Sequence, residues 1–148
     1  MALPTNDSAV GHSFGLSFDG IEIKSITDVT GIKMEQDVIE YKYNTAPDGK
    51  YDIKKLPGRW KAGEMTLTRP LTDNNSFDDW IKNSQMGKMT EVRKPGMLTI
   101  YDYEGNALRR YKFANAWPKT LELGNLKAGD TTVLTEKLTV TYEKCEPE

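Results

Sequence analysis

From Val133 to Tyr142 the sequence alternates without a break. Leu134, Glu136, Leu138, Val140 and Tyr142 take one side, and Val133, Thr135, Lys137, Thr139 and Thr141 take the other. Successive side chains of a strand point to opposite faces, so this period of two marks a strand with one face buried. The same period recurs along most of the chain and constrains the fold to a β-rich one. Phe14, Leu16 and Phe18 alternate with Ser13, Gly15 and Ser17; Asp19-Gly20 is a tight hairpin signal, and Ile21 and Ile23 resume the apolar face, which predicts strands at about 12–18 and 21–26. From Ile32 the apolar set runs Ile32, Met34, Val38 and then slips phase to Ile39, Tyr41 and Tyr43. Three readings fit the slip: a β-bulge near Val38-Ile39, burial of both faces, or burial of the second face against a neighbouring subunit.

Residues 44–59 read as a long connection, with turn signals at Pro47-Asp48-Gly49 and Pro57-Gly58. It carries Tyr51, Ile53 and Leu56, apolar groups that cost free energy if left in water, so the segment is expected to dock on something. A strand from about Trp60 to Arg69 ends at Pro70, which lacks a ladder donor. An amphipathic helix follows from about Asn74: Asp73 is the expected N-cap, Phe77, Trp80 and Ile81 form its apolar stripe, and Gln85-Met86-Gly87 its end. Further strands are predicted near 91–103 and 107–117, joined by a turn at Glu104-Gly105-Asn106, with a connection over 119–130. The expected fold class is mainly β (α+β): an antiparallel β-sandwich or barrel of about six to seven strands, one flanking helix and a long inter-strand loop, in a single domain spanning 1–148.

Composition narrows the function. The chain of 148 residues carries 20 basic and 22 acidic side chains, a formal net charge of -2, which gives no long-range attraction for nucleic acid. The densest basic run is Arg109-Arg110-Tyr111-Lys112, which alternation splits between two faces. Cys145 stands alone, so no intrachain disulfide forms, and the start of the chain lacks the pattern of a signal peptide. No apolar run approaches the ~20 residues of a membrane helix. Assembly in the cytoplasm and no membrane insertion by this chain are the expectations.

Several short motifs in order carry a family resemblance. They are Phe18-Asp-Gly-Ile21, Ile26-Thr-Asp-Val-Thr-Gly-Ile32, Glu35-Gln-Asp-Val-Ile-Glu-Tyr41, Leu56-Pro-Gly58, Leu67-Thr-Arg69 through Trp80-Ile81, Trp117-Pro-Lys-Thr-Leu121 and Glu136 through Glu143. In that order the chain resembles the tail tube proteins of contractile phage tails and phage-tail-like injection systems, related to the haemolysin-coregulated tube protein of type VI secretion. The resemblance implies a structural subunit that forms hexameric rings, which stack into a hollow inner tube for DNA or protein cargo. It implies as partners other copies of the chain, a sheath protein, a baseplate or spike hub, a tube terminator or tape-measure protein, and an effector carried in the lumen. The final location would be a virion tail or an injection particle. Tyr51, Ile53, Lys54, Leu56, Pro57 and Arg59 are the expected ring-stacking residues, and Phe77, Trp80 and Ile81 the residues that pack the helix on the core.

Chemistry is not expected. His12 is the single histidine, which excludes a multi-histidine metal site, and Cys145 has no partner. Asp78 and Asp79, adjacent on a helix, diverge by about 100° and share no site. No loop supplies the spaced carboxylates of a calcium site, and the glycines are too scattered for a phosphate loop. No enzyme, metal or cofactor is therefore expected. The competing reading is a monomeric β-barrel module that holds a ligand or an effector, in which 44–59 would fold over the barrel mouth.

Overall fold

The computed structural model describes residues 13–19, 21, 23, 26–45 and 49–148. His12, Gly20 and Pro47-Asp48, singled out above, lie outside the described residues. The elements run β1 (Phe14–Phe18), β2 (Asp28–Thr30), β3 (Glu35–Thr45), β4 (Lys50–Lys61), β5 (Gly63–Pro70), α1 (Ser76–Gln85), α2 (Met89–Val92), β6 (Lys94–Tyr101), β7 (Ala107–Leu123), β8 (Thr135–Tyr142) and β9 (Lys144–Pro147). Seven strands form one antiparallel sheet in the order β1-β6-β7-β8-β5-β2, with β9 also paired to β7, and β3 and β4 form a separate pair. This is the β-rich α+β class expected from the alternation.

The long strand β7 makes the sheet fold over on itself. Its first half pairs with β6 and β9, and its second half pairs with β8. The change falls at Asn115, which has a left-handed φ of 51°. There Asn115 Nδ2 donates to Glu143 Oε2 at 2.7 Å, opposite the break between β8 and β9. A strand that switches partners at such a kink turns a corner between two packed layers.

Between the layers sits the core: Leu16 and Phe18 from β1, Met65 and Leu67 from β5, Leu98 from β6, Phe113 and Ala116 from β7, and Leu138, Val140 and Tyr142 from β8. Helix α1 adds Phe77 and Trp80, whose ring lies 5.1 Å from that of Phe18. Burying each such large side chain stabilises the fold by roughly 1.5–3 kcal/mol. The α1 stripe has a specific reason to sit still. Trp80 Nε1 donates to the Val92 carbonyl at 2.8 Å, tying α1 to the short helix α2 behind it. Helix α1 stops where Gly87 takes a φ of 80°, with Gly87 N donating to Ser84 O and Lys88 N to Asn83 O, a Schellman ending.

Four expectations need correction. Segment 44–59 is not a long loop, because Lys50–Lys61 is strand β4 and pairs along β3. Among the described residues 21–26 is not a strand; Ile21 makes one isolated bridge to Phe18. Asp73 is not the N-cap. Asn75 occupies that position without a side-chain cap, and the preceding turn is held by Ser76 N donating to Asn74 Oδ1 and Asn74 N to Thr72 Oγ1. Finally, β7 continues through 119–123, placed above in a connection, because β8 offers it a partner edge.

Candidate functional site

The pair β3–β4 is an arm. It continues the β2–β5 pairing past a break at 31–34 and Ala62, and its register runs from Glu35 opposite Lys61 to Thr45 opposite Lys50. At about 3.3 Å per residue β3 is roughly 33 Å long. Along that length β3 and β4 contact mainly each other. A two-stranded hairpin alone in water is marginal, so this arm needs a further surface.

Register gives the arm's two faces, since directly opposed residues share a side. Ile39 opposes Leu56, Tyr41 opposes Lys54, and Tyr43 opposes Asp52 on one face. On the other, Val38 opposes Pro57, Glu40 opposes Lys55, Lys42 opposes Ile53, and Asn44 opposes Tyr51. Both faces carry exposed apolar side chains among charged ones: Val38 is 65% accessible, Ile39 52%, Tyr51 60% and Ile53 49%. Of fifteen exposed large hydrophobic side chains among the described residues, nine lie on the arm or at its base, which makes it the apolar surface of the molecule.

A bulge lies nearby but does not absorb the phase slip: β3 runs regularly through Val38 and Ile39 and puts their side chains on opposite faces. Gln36 opposes Trp60 while Val38 opposes Pro57, so the extra residue sits in β4. Pro57 and Gly58 therefore mark the bulge and not a turn. A Cβ on Gly58 would come within 3.1 Å of the Asp37 backbone oxygen, so the strands approach more closely there than most side chains allow. The slip leaves apolar groups on both faces, and within one chain neither is covered.

The base of the arm is charged. Lys61 Nζ lies 3.5 Å from Asp37 and 3.9 Å from Glu35, and Lys33 Nζ lies 3.1 Å from Glu35. The Lys33 ammonium, by hydrogen bond and by charge, holds the exposed Glu35 carboxyl below its usual range. Lys144 Nζ sits over the Trp60 ring at 4.6 Å, and Tyr142 OH donates to the Lys33 carbonyl at 3.3 Å. These contacts join the arm to β8 and β9, and burial of the Tyr142 hydroxyl pushes its pKa upward.

The structure splits the six expected stacking residues. Tyr51, Ile53 and Pro57 lie on one face, Lys54 and Leu56 on the other, and Arg59 is exposed beside the bulge. Val38, Ile39, Tyr41, Tyr43 and Trp60 belong to the same surface and were not among them; the phase slip was the signal that could have found them. Phe77 and Trp80 are buried and Ile81 is half-buried.

A second feature was missed. Arg69 and Glu136 are directly opposed on β5 and β8, both buried, with Arg69 Nε donating to Glu136 Oε1. The guanidinium also donates to the Asn74 carbonyl at 3.2 Å and lies 3.7 Å over the Phe77 ring, so it ties the sheet to α1. Glu136 Oε2 has no hydrogen-bond partner. Among the described residues no group of His, Cys, Asp and Glu is placed to hold a metal ion. Burial and the Glu146 carboxylate push the Cys145 thiol above its usual range, the opposite of an activated nucleophile. No helix of the described chain is long and apolar enough to cross a membrane.

A folded-over sheet with a filled interior and a bare, two-faced apolar arm is the form of an assembly subunit. The chain belongs to the T4-like virus tail tube protein gp19 family, whose pattern matches residues 10–146. It is a structural subunit of a tube. No curated protein matches it significantly. Among solved structures it is similar to a chain in the PVC sheath-tube complex of an extracellular contractile injection system in the extended state, at 20% identity and TM-score 0.78, over 97% of this chain and 93% of that one. It is also similar to a chain in the tube terminating cap of the anti-feeding prophage, at 20% identity and TM-score 0.81 over 100% and 95%. A more distant likeness is to Hcp1 from Salmonella typhimurium, at 11% identity and TM-score 0.52 over 87% and 80%. At these identities the likeness is one of fold.

Proposed function

We propose that this tube subunit closes into hexameric rings that stack into the inner conduit of a contractile injection system or phage tail, with the β3–β4 arm buried between copies. The carrying observation is the arm itself: both of its faces carry exposed apolar side chains, and one chain supplies a cover for neither. A head-to-tail contact closed by rotation gives a ring, and identical rings then stack. Tyr51, Ile53, Lys54, Leu56, Pro57 and Arg59, together with Val38, Ile39, Tyr41 and Tyr43, supply the contact. The named neighbours, a sheath-tube complex and a tube terminating cap, support a sheath outside the tube and a terminator at one end; a baseplate closes the other, cargo travels inside, and the chain contributes no catalysis.

The reading as a monomeric binding module fares worse on the same observation. An arm that served as a lid would lie over its own sheet, whereas β3 and β4 pack mainly on each other. Negative-stain electron microscopy with solution mass tests the choice. Rings or tubes with a central hole are expected, and deletion of 46–56 should abolish the polymer while leaving a folded ring or monomer. Loss of the fold on that deletion would overturn the stacking role.

A further inference from the structure

The outward face of β2, β5, β8 and the end of β7 has a composition unlike the rest of the surface. Thr30 opposes Thr66, Thr66 opposes Thr139, and Thr139 opposes Thr120, so four threonines form one row across four strands. The row beside it runs Asp28, Thr68, Lys137, Glu122. On the other side Glu64 opposes Thr141, and Lys119 reaches past that threonine to Glu64 at 2.8 Å. The alternate residues of these strands, Met65, Leu67, Leu138 and Val140, are buried, which fixes the threonines on the outward side.

This face is hydroxyl-rich and close to neutral, with three carboxylates against two ammonium groups. Trp117, half-buried at one corner opposite Thr141, is its one large apolar side chain among the described residues. β-Branched threonines are stiff, and their hydroxyls keep water unless a partner replaces every hydrogen bond. Such a surface is poor at docking a protein and has no clustered Lys or Arg to hold phosphates. The other outward face, with Arg110, Lys112 and Glu146 on β7 and β9, has no comparable row of threonines.

We propose that the threonine face is the wall of the channel, a lining that stays wet and lets cargo pass without adhering. The proposal rests on the tube reading above. Its test places a single cysteine on the face, Thr139→Cys in a Cys145→Ser background, in tubes assembled from the full chain. Two maleimides are compared, one small and one carried on a globular protein too large for the bore. Labelling by the small reagent alone is expected in tubes, and labelling by both in dissociated protein. Labelling of tubes by both reagents puts the face on the outside, and labelling by neither puts it in a subunit contact; each overturns the proposal. Thr66→Cys, one strand over, serves if the first variant does not fold. A chain that forms no tube overturns the tube reading as well, and microscopy shows that before any labelling.

Discussion

Leu67 and Leu56 stand on consecutive strands of one chain, yet Leu67 is fully buried and Leu56 is 38% exposed. The difference lies in what each strand faces. β5 has β8 and β2 at its edges and a layer of Phe and Leu side chains beneath it, whereas β4 has only β3. The body of the molecule completes its core within one chain; the arm does not. Identical side chains therefore stabilise the monomer in one region and lie open to solvent in the other, because apolar area counts only where something removes it from water.

The largest effect should come from the body's buried ion pair. Arg69→Met or Glu136→Leu alone is expected to destabilise the chain by about 3–5 kcal/mol, because each leaves a buried charge without its partner. The double variant should recover most of that loss, since it removes both desolvation costs. Denaturant unfolding of the three variants reads this directly, and strict additivity would sink the account. Next, Leu138→Ala should cost about 2–5 kcal/mol as a core cavity. Leu56→Ala should change monomer unfolding by no more than about 0.5 kcal/mol while weakening the polymer. Equal unfolding penalties for the two leucines would break the comparison between body and arm.

Charges on the arm probe the same contrast without touching the core. Ile39→Asp on one face and Val38→Asp on the other should each reduce tube formation, as measured by sedimentation, and leave the urea midpoint of the monomer near that of the parent. If only one variant disrupts assembly, only one face of the arm is buried. The smallest effect concerns pH. The Lys33 hydrogen bond holds the folded-state pKa of Glu35 below the ordinary glutamate range, so its contribution is fully present above that range and is lost as pH falls through the lowered value. The stability difference between the parent and Glu35→Gln should therefore shrink on acidification, and at high salt, because the group is fully exposed.

Much of the body was legible because its signals are local and agree with one another. The β8 alternation, the Phe77-Trp80 stripe, the Gly87 ending and the stop at Pro70 each follow from backbone preference and one buried face. The arm was misread for a physical reason. Pro57-Gly58 is a strong turn signal in isolation, but in β4 it is absorbed as a bulge by pairing with residues about twenty positions earlier. The short strand β9 likewise exists because β7 presents a free edge to Lys144–Pro147, and no local pattern announces that. Glu136 was placed on the apolar side of β8 by alternation, yet its partner Arg69 could be found only from the register of β5 against β8.

The sequence by itself determined which residues alternate, where the single long helix begins and ends to within a residue or two, and that apolar groups between Val38 and Leu56 would need a cover. It also carried the order of motifs that marks the tail tube family. Only the tertiary structure decided that those apolar groups share a hairpin, that they occupy both of its faces, and that four threonines from separate strands line up in one row. Those facts depend on register between distant strands. A shift of one residue in register moves every side chain to the opposite face, and that register is set by the packing of the whole sheet.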